Sequence, residues 1–215
     1  MAFEPGPVGV VVGLAAEARL LRRLRCLVEI GGGTSAGAEA AASLLVQSGA
    51  AALISFGLAG GLDPALRPGD ILVPAEVFTG GGRLSADEDL SRALGGLTPH
   101  MIFGSASLAT DAAAKRQLCI ETGAAGIDLE SGAVARIAVA HGLPFAVLRA
   151  ICDPAERALP AAATLALNER GIIGVSRVLR SVAAHPWQVA ALLALAADAA
   201  AARRALRQRI ASIDL

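Results

Sequence analysis

Apolar residues come in short continuous runs closed by glycine or proline, with stretches of helical composition between them. Val8–Val12, four valines and a glycine between Pro7 and Gly13, predicts a buried strand. Residues 15–24 read as a helix, and Cys26–Ile30 as a second strand ending in Gly31-Gly32-Gly33. Thr34 or Ser35 is placed to cap a helix running to about Ser48, because a short hydroxyl side chain accepts from the free N–H groups of a first turn. Residues 51–56 form a third strand, followed by Gly57-Leu58-Ala59-Gly60-Gly61. Arg67-Pro68-Gly69-Asp70 is a turn before a strand over 71–78, and Gly80-Gly81-Gly82 makes another turn. Strands over 101–109 and 125–129 alternate with helices over 111–121 and 131–141, the latter stopped by Gly142 and Pro144. A last strand covers 145–151. From about Ala158 onward the pattern is helical, and Pro186 opens a terminal helical hairpin.

Strands alternating with helices predict an α/β fold with a central, mostly parallel or mixed sheet flanked by helices. The α/β domain is expected at residues 1–183 and the hairpin, as an appendage, at 184–215. In such sheets ligands gather beyond the carboxyl ends of the strands. The residues there are 13–17, 31–35, 57–61, Thr110-Asp111, 128–130 and Cys152-Asp153, a set rich in glycine and carboxylates. Glycine turns let backbone N–H groups approach a polar ligand closely. There is no Walker motif, and Gly31-Gly32-Gly33 does not fit the GxGxxG spacing of a dinucleotide site.

Composition removes several classes of function. Aromatic residues are 3% and Tyr is absent, which leaves no stacking platform for single-stranded nucleic acid. Nineteen basic and 19 acidic residues give a net charge of zero, hence no global field for nucleic acid or an anionic membrane. Basic charge gathers only at Arg203, Arg204, Arg207 and Arg209, where it complements the dipole of a helix end. Cys26, Cys119 and Cys152 are too scattered for a disulfide framework or a zinc site, and His100, His141 and His185 have no metal-ligand spacing. No metal is expected, and reduced thiols fit a cytoplasmic protein. The N-terminus lacks the basic region of a signal peptide. The apolar stretch 187–202 is interrupted by Asp198 and is too short to read as a membrane span. Ser131 has no nucleophile-elbow context.

Three segments, in order, resemble the superfamily of purine nucleoside phosphorylases and methylthioadenosine/S-adenosylhomocysteine nucleosidases, over roughly residues 8–180. Gly57-Leu58-Ala59-Gly60-Gly61-Leu62 with Arg67-Pro68-Gly69-Asp70-Ile71 resembles its glycine-rich loop leading into a strand. Asp128-Leu129-Glu130-Ser131-Gly132-Ala133 resembles its acidic motif at a helix start. Phe145-Ala146-Val147-Leu148-Arg149-Ala150-Ile151-Cys152-Asp153 resembles the strand end that carries its general acid. Within the superfamily, Gly13-Leu14-Ala15-Ala16-Glu17-Ala18-Arg19 and the extra C-terminal helices are most similar to the hopanoid-associated phosphorylases, a group associated with removing adenine from adenosylhopane.

The resemblance implies cleavage of the N-glycosidic bond of an adenine nucleoside. Breaking C1′–N9 leaves a cation-like ribosyl group and a poor leaving group, so a carboxylic acid must hold a proton for the base near neutral pH. The resemblance gives that role to Asp153 and the polarising of an attacking water to Glu17. Glu130 would bind the ribose hydroxyls, with Asp128, Leu129, Gly57, Leu58, Asp111 and Arg149 around the substrate and Gly31, Gly32 and Gly33 as a sugar or anion loop. Plainer readings stand beside these: Asp153 as a cap before Pro154, Glu130 as favourable first-turn charge, Glu17 as an exposed residue paired with an arginine. No cofactor is implied, and phosphate is the co-substrate if the bond is phosphorolysed.

Two departures from the family pattern matter. Ser55 and Leu58 stand where the phosphorylases carry an arginine and a hydroxyl residue, so hydrolysis through Glu17 stands beside phosphorolysis. Ala112-Ala113-Ala114 stand where the nucleosidases carry a stacking phenylalanine, so either another apolar residue covers the base or the pocket is wider, and a wider one would suit a bulky apolar 5′ group. The expected partner is a small nucleoside, lipid-linked in the hopanoid reading, and the resemblance implies a homo-oligomer. Trp187, Val189, Leu192, Leu193 and Leu195 form an apolar face for packing on the domain, on a second subunit, or transiently on a membrane. A methylthioadenosine/S-adenosylhomocysteine nucleosidase is the nearest alternative, and a non-catalytic nucleoside-binding protein is the alternative of another class.

Overall fold

The computed structural model describes residues 6–159 and 189–213. Within them, nine strands form one mixed sheet. They are β1 (Val8–Val12), β2 (Cys26–Ile30), β3 (Ala52–Gly61), β4 (Ile71–Leu72), β5 (Pro74–Thr79), β6 (Gly82–Ser85), β7 (Thr98–Gly104), β8 (Gly126–Asp128) and β9 (Phe145–Asp153). The helices are α1 (Ala15–Ala18), α2 (Ser35–Gln47), α3 (Glu88–Ala93), α4 (Ala112–Thr122), α5 (Ser131–Ala140) and α6 (Val189–Ile210). The main path runs β2-β1-β3-β8-β7-β5-β6, with β9 pairing β3 and β4. β3 is parallel to β1 and β9 and antiparallel to β8. This is the mixed, helix-flanked sheet that the alternating pattern predicts.

The sheet is buried on both faces, so its central strands are apolar without interruption. Period-two alternation still sorts their side chains. Val11 of β1 joins Leu53, Ala59, Val147 and Ile151 under α2 and α5. Val8, Val10 and Val12 join Ile54, Phe56, Leu148 and Ala150 under α6, where Leu206 and Ile210 are also buried. Along β9 the positions on the α5 side are Phe145, Val147, Arg149 and Ile151, so Arg149 stands where the alternation calls for an apolar residue. A guanidinium at that position requires carboxylates from the same side, and the start of α5 supplies them.

Several elements differ from the sequence pattern. The helix expected over 15–24 is α1 followed by a 3-10 turn at Arg19–Leu21, which seats Leu21 in the core. The glycines after Phe56 do not form a loop. β3 continues through Gly61 because β9 pairs along it as far as Asp153 and β8 adds to its end. The strand expected over 71–78 breaks at Val73, and the one expected over 101–109 lies earlier, at Thr98–Gly104. Beyond it, Ser105 donates its N–H to Asp128 O and folds into a turn with Ser107. Helix caps follow the pattern: the Thr34 hydroxyl accepts from Gly37 N at 3.1 Å, and the Asp111 carboxylate from Ala114 N at 2.8 Å. The hairpin expected from Pro186, and Trp187 of its apolar face, begin outside the described residues. From Val189 the chain is one 22-residue helix, with Val189 and Leu193 exposed. Among the described residues, no helix is long and apolar enough to cross a membrane.

Candidate active site

The carboxyl ends of β1, β3, β8 and β9 converge on a cavity of about 270 Å³. One wall is a charged cluster around Arg149, which is 1% exposed. Arg149 Nη2 lies 2.9 Å from Glu130 Oε2 and donates to Ser55 Oγ at 2.6 Å. Its Nε lies 2.7 Å from Asp128 Oδ2, and Nη1 donates to Leu58 O at 3.3 Å. Ser55 shares this sheet face because it lies an even number of positions from Leu53 and Ala59 along β3.

Lone-pair accounting separates the three carboxylates. Asp128 Oδ1 accepts from Glu130 N at 3.0 Å and Ser131 N at 2.8 Å, capping α5. Its Oδ2 takes the Ser131 hydroxyl and faces Arg149 Nε. Each carboxylate oxygen offers about two acceptor sites, so Oδ1 is filled, and Asp128 acts as the clamp between α5 and Arg149. Glu130 uses only Oε2 on Arg149. Its Oε1 sits against Gly13, where a Cβ would collide with it and would lie 3.5 Å from Glu17 Oε2. Glu17 accepts from Leu14 N at 2.8 Å, the backward reach of a third helical residue to its N-cap. It also accepts from Leu58 N at 3.0 Å, which ties β1 to β3. Glu17 is therefore buried between strand ends and not exposed against a surface arginine.

The glycines make this approach possible. A Cβ on Gly57, whose φ is +151°, would lie 2.5 Å from Glu17 Oε1 and 2.8 Å from Arg149 Nη1. Gly132 packs on Gly104 so closely that a Cβ would lie 2.8 Å from Gly104 O, which seats the start of α5, with Glu130, against β7.

Burial raises the pKa of Glu130 to about 7, helped by Asp128 and Glu17 and opposed by Arg149. Burial likewise raises Glu17, against Arg149 and the two N–H donors. For Arg149, burial pulls the pKa down and the three carboxylates push it up, with a net rise.

Across the cavity stands Asp153, 4% exposed at the end of β9. Its Oδ2 accepts from Lys115 Nζ of α4, a lysine with no exposure. Its Oδ1 is buried without a hydrogen-bond partner among the described residues. Burial raises the Asp153 pKa and Lys115 opposes the rise. Leu14, Leu58, Leu108, Leu159, Leu195 and Ala199 supply apolar wall between the two charged groups, the last two from α6.

Of the site residues expected from the sequence, Glu17, Asp128, Leu129, Glu130, Leu58, Arg149 and Asp153 line the cavity, and Gly57 backs the Arg149 cluster. Asp111 does not line it: the residue is exposed and caps α4. Of the Gly31-Gly32-Gly33 loop only Gly33 lines the cavity, while Gly31 gives α2 its close approach, a Cβ there lying 2.9 Å from Ala38 Cα. Arg19, Arg22 and Arg23 are not among the lining residues. Sequence reasoning missed Lys115 and the α6 wall. Lys115 had one signal: it is the only lysine among 19 basic residues.

Residues 7–107 match the phosphorylase superfamily. That segment, nearly half of the chain, carries Gly13, Glu17, Ser55 and Leu58. No curated protein sequence matches the chain. The fold is similar to that of a methylthioadenosine/S-adenosylhomocysteine nucleosidase from Colwellia psychrerythraea, solved with adenine. The TM-score is 0.67 at 16% identity, over 99% of this chain and 98% of that one. The corresponding Campylobacter jejuni nucleosidase gives a TM-score of 0.65 at 19% identity, over 80% and 95%. Futalosine hydrolase of Helicobacter pylori gives 0.63 at 16%, over 70% and 85%. These likenesses show the nucleoside phosphorylase/nucleosidase fold.

Proposed function

We propose that this chain is an enzyme that hydrolyses the N-glycosidic bond of an adenine nucleoside and releases adenine. Asp153 protonates the departing base. Glu17 takes a proton from the attacking water, and Glu130 holds the ribose hydroxyls. The C1′–N9 electron pair goes to the base, and the water oxygen bonds to C1′. Negative charge beside the sugar stabilises the cation-like ribosyl group as the bond breaks.

The observation that carries this reading is the charge of the Arg149 wall. Three carboxylates surround one guanidinium. With three carboxylates against one guanidinium, the cluster offers no net positive charge to an anion. A phosphate bound here would meet repulsion of roughly 3 kcal/mol for each uncompensated unit charge about 5 Å away, at an effective dielectric near 20. Water meets none. The site therefore favours hydrolysis over phosphorolysis.

The substrate we propose is adenosylhopane, released from its adenine in hopanoid synthesis. The resemblance of residues 13–19 supports it, as do the leucines of the wall. A methylthioadenosine/S-adenosylhomocysteine nucleosidase is the second reading, favoured by the structural likeness. The test is adenine release from adenosylhopane, a 5′-alkyl adenosine and methylthioadenosine, with and without phosphate. Free sugar at equal rates in both buffers is expected, with the alkyl substrates preferred. A phosphate-dependent sugar 1-phosphate would overturn hydrolysis, and preference for methylthioadenosine would overturn the hopanoid substrate.

A further inference from the structure

Lys115 is buried completely, and its three N–H bonds are all used. They go to Asp153 Oδ2, to Pro154 O at 3.0 Å and to Arg157 O at 2.8 Å. This chain meets its need for cations with arginine at every other position. The exception is the cation against Asp153. Arginine and lysine differ there in shape: a guanidinium is a rigid planar fork, and an ammonium is a compact point charge whose three donors diverge to three acceptors.

We propose that Lys115 is the positioning residue of Asp153. Holding Oδ2 leaves Oδ1, which has no partner among the described residues, as the oxygen for the base. When the C1′–N9 bond breaks and its electron pair passes to the base, Oδ1 gives its proton to the purine. The carboxylate left behind stays paired through Oδ2 with the Lys115 ammonium, and solvent returns its proton after product leaves. The turn that carries Asp153 is held in place around this exchange. Lys115 binds its carbonyls, Leu159 N donates to Thr110 O at 2.8 Å, and Arg157 pairs with Asp198 of α6. The other titratable and charged groups near the pair are Cys152, Glu156 and Arg157 on the same segment and Arg203 of α6.

The inference rests on the hydrolytic reading, so its test compares two leaving groups. One substrate is a 5′-alkylthioadenosine, whose base needs a proton. The other is a 4-nitrophenyl riboside with the same 5′ group, whose phenolate leaves without one. Lys115→Gln keeps an N–H donor and removes the charge. We expect it to slow adenine release on the order of 100-fold and to change nitrophenol release by less than about threefold. The alkaline limb of its adenine-release profile moves to higher pH, because the Lys115 charge that lowers the Asp153 pKa is gone. Equal slowing of both substrates, or of neither, overturns the role. If Lys115→Gln does not fold, Lys115→Arg replaces it: the same split is expected, and wild-type adenine release from the arginine variant overturns the proposal. A wild-type protein that cleaves neither substrate overturns the hydrolytic reading itself.

Discussion

The two ends of the cavity handle buried charge in opposite ways. At the Arg149 end, proposed here for the sugar, three carboxylates share one arginine. At the Asp153 end, proposed for the base, one carboxylate faces one lysine. The first arrangement is fixed: Arg149 touches Asp128, Glu130, Ser55 and Leu58, and Asp128 Oδ1 is filled by the cap of α5. The second has slack, with one carboxylate oxygen lacking a partner among the described residues. Stabilising a positive sugar calls for fixed negative charge. Delivering a proton calls for a group that changes its charge during the reaction. The same burial serves both ends, because low dielectric strengthens the field at one and shifts the protonation equilibrium at the other.

The comparison breaks most visibly at Arg149. Arg149→Met leaves three buried carboxylates without their cation, and removal of one partner of a buried pair costs about 3–5 kcal/mol. We expect the urea unfolding midpoint to drop accordingly; an unchanged midpoint would mean that the cluster is not what holds the strand ends together.

Asp153→Asn is next. It should slow adenine release by a factor of about 10² to 10⁴ while leaving a nitrophenyl riboside nearly untouched. Glu17→Gln should slow both substrates, since both need an activated water. Identical substrate profiles for the two variants would erase the division of labour between the ends.

A smaller effect is expected in stability against pH. Glu130 has a folded pKa of about 7, above its ordinary 4.5. A carboxyl raised in this way gives stability that is full below about 4.5 and lost as pH rises through about 7, because the folded protein must then ionise a buried acid. The loss is at most a few kcal/mol. Glu130→Gln should flatten denaturation midpoints between pH 5 and 8. An unaltered slope would show that Glu130 does not titrate there.

The smallest effect concerns the apolar wall. Leu195→Ala on α6 should raise KM for a 5′-alkyl adenosine by roughly tenfold and leave kcat near its original value, since apolar contacts are worth about 1–3 kcal/mol. A kcat effect of the same size would place α6 in the chemistry.

Much of the site was legible before the structure. Glu17, Glu130 and Asp153 lie at predicted strand ends, and strand ends are where such sheets bind ligands; Arg149, inside the strand predicted over 145–151, was named by the resemblance alone. Their roles as a set were not legible, because they depend on which oxygens remain free. Asp128 and Glu130 are two positions apart with the same chemistry. One is spent on capping α5 and the other keeps an oxygen for the cavity. Asp111 misled for a related reason: an aspartate at a helix start serves equally as ligand or as cap, and here it caps.

The sequence by itself determined the alternation of strands and helices, the cap at Thr34, and the burial of β1, because runs of valine and short hydroxyl caps act through local chemistry. Only the tertiary structure decided that β3 runs on through its glycines, that α6 returns to wall the cavity, and that the chain's only lysine faces Asp153. Each of these depends on a partner far away in sequence: Asp153 for Gly60, Leu58 for Glu17, Asp153 for Lys115. Local pattern carries no record of such pairings, and burial, which gives them their energy, exists only once the chain has closed around them.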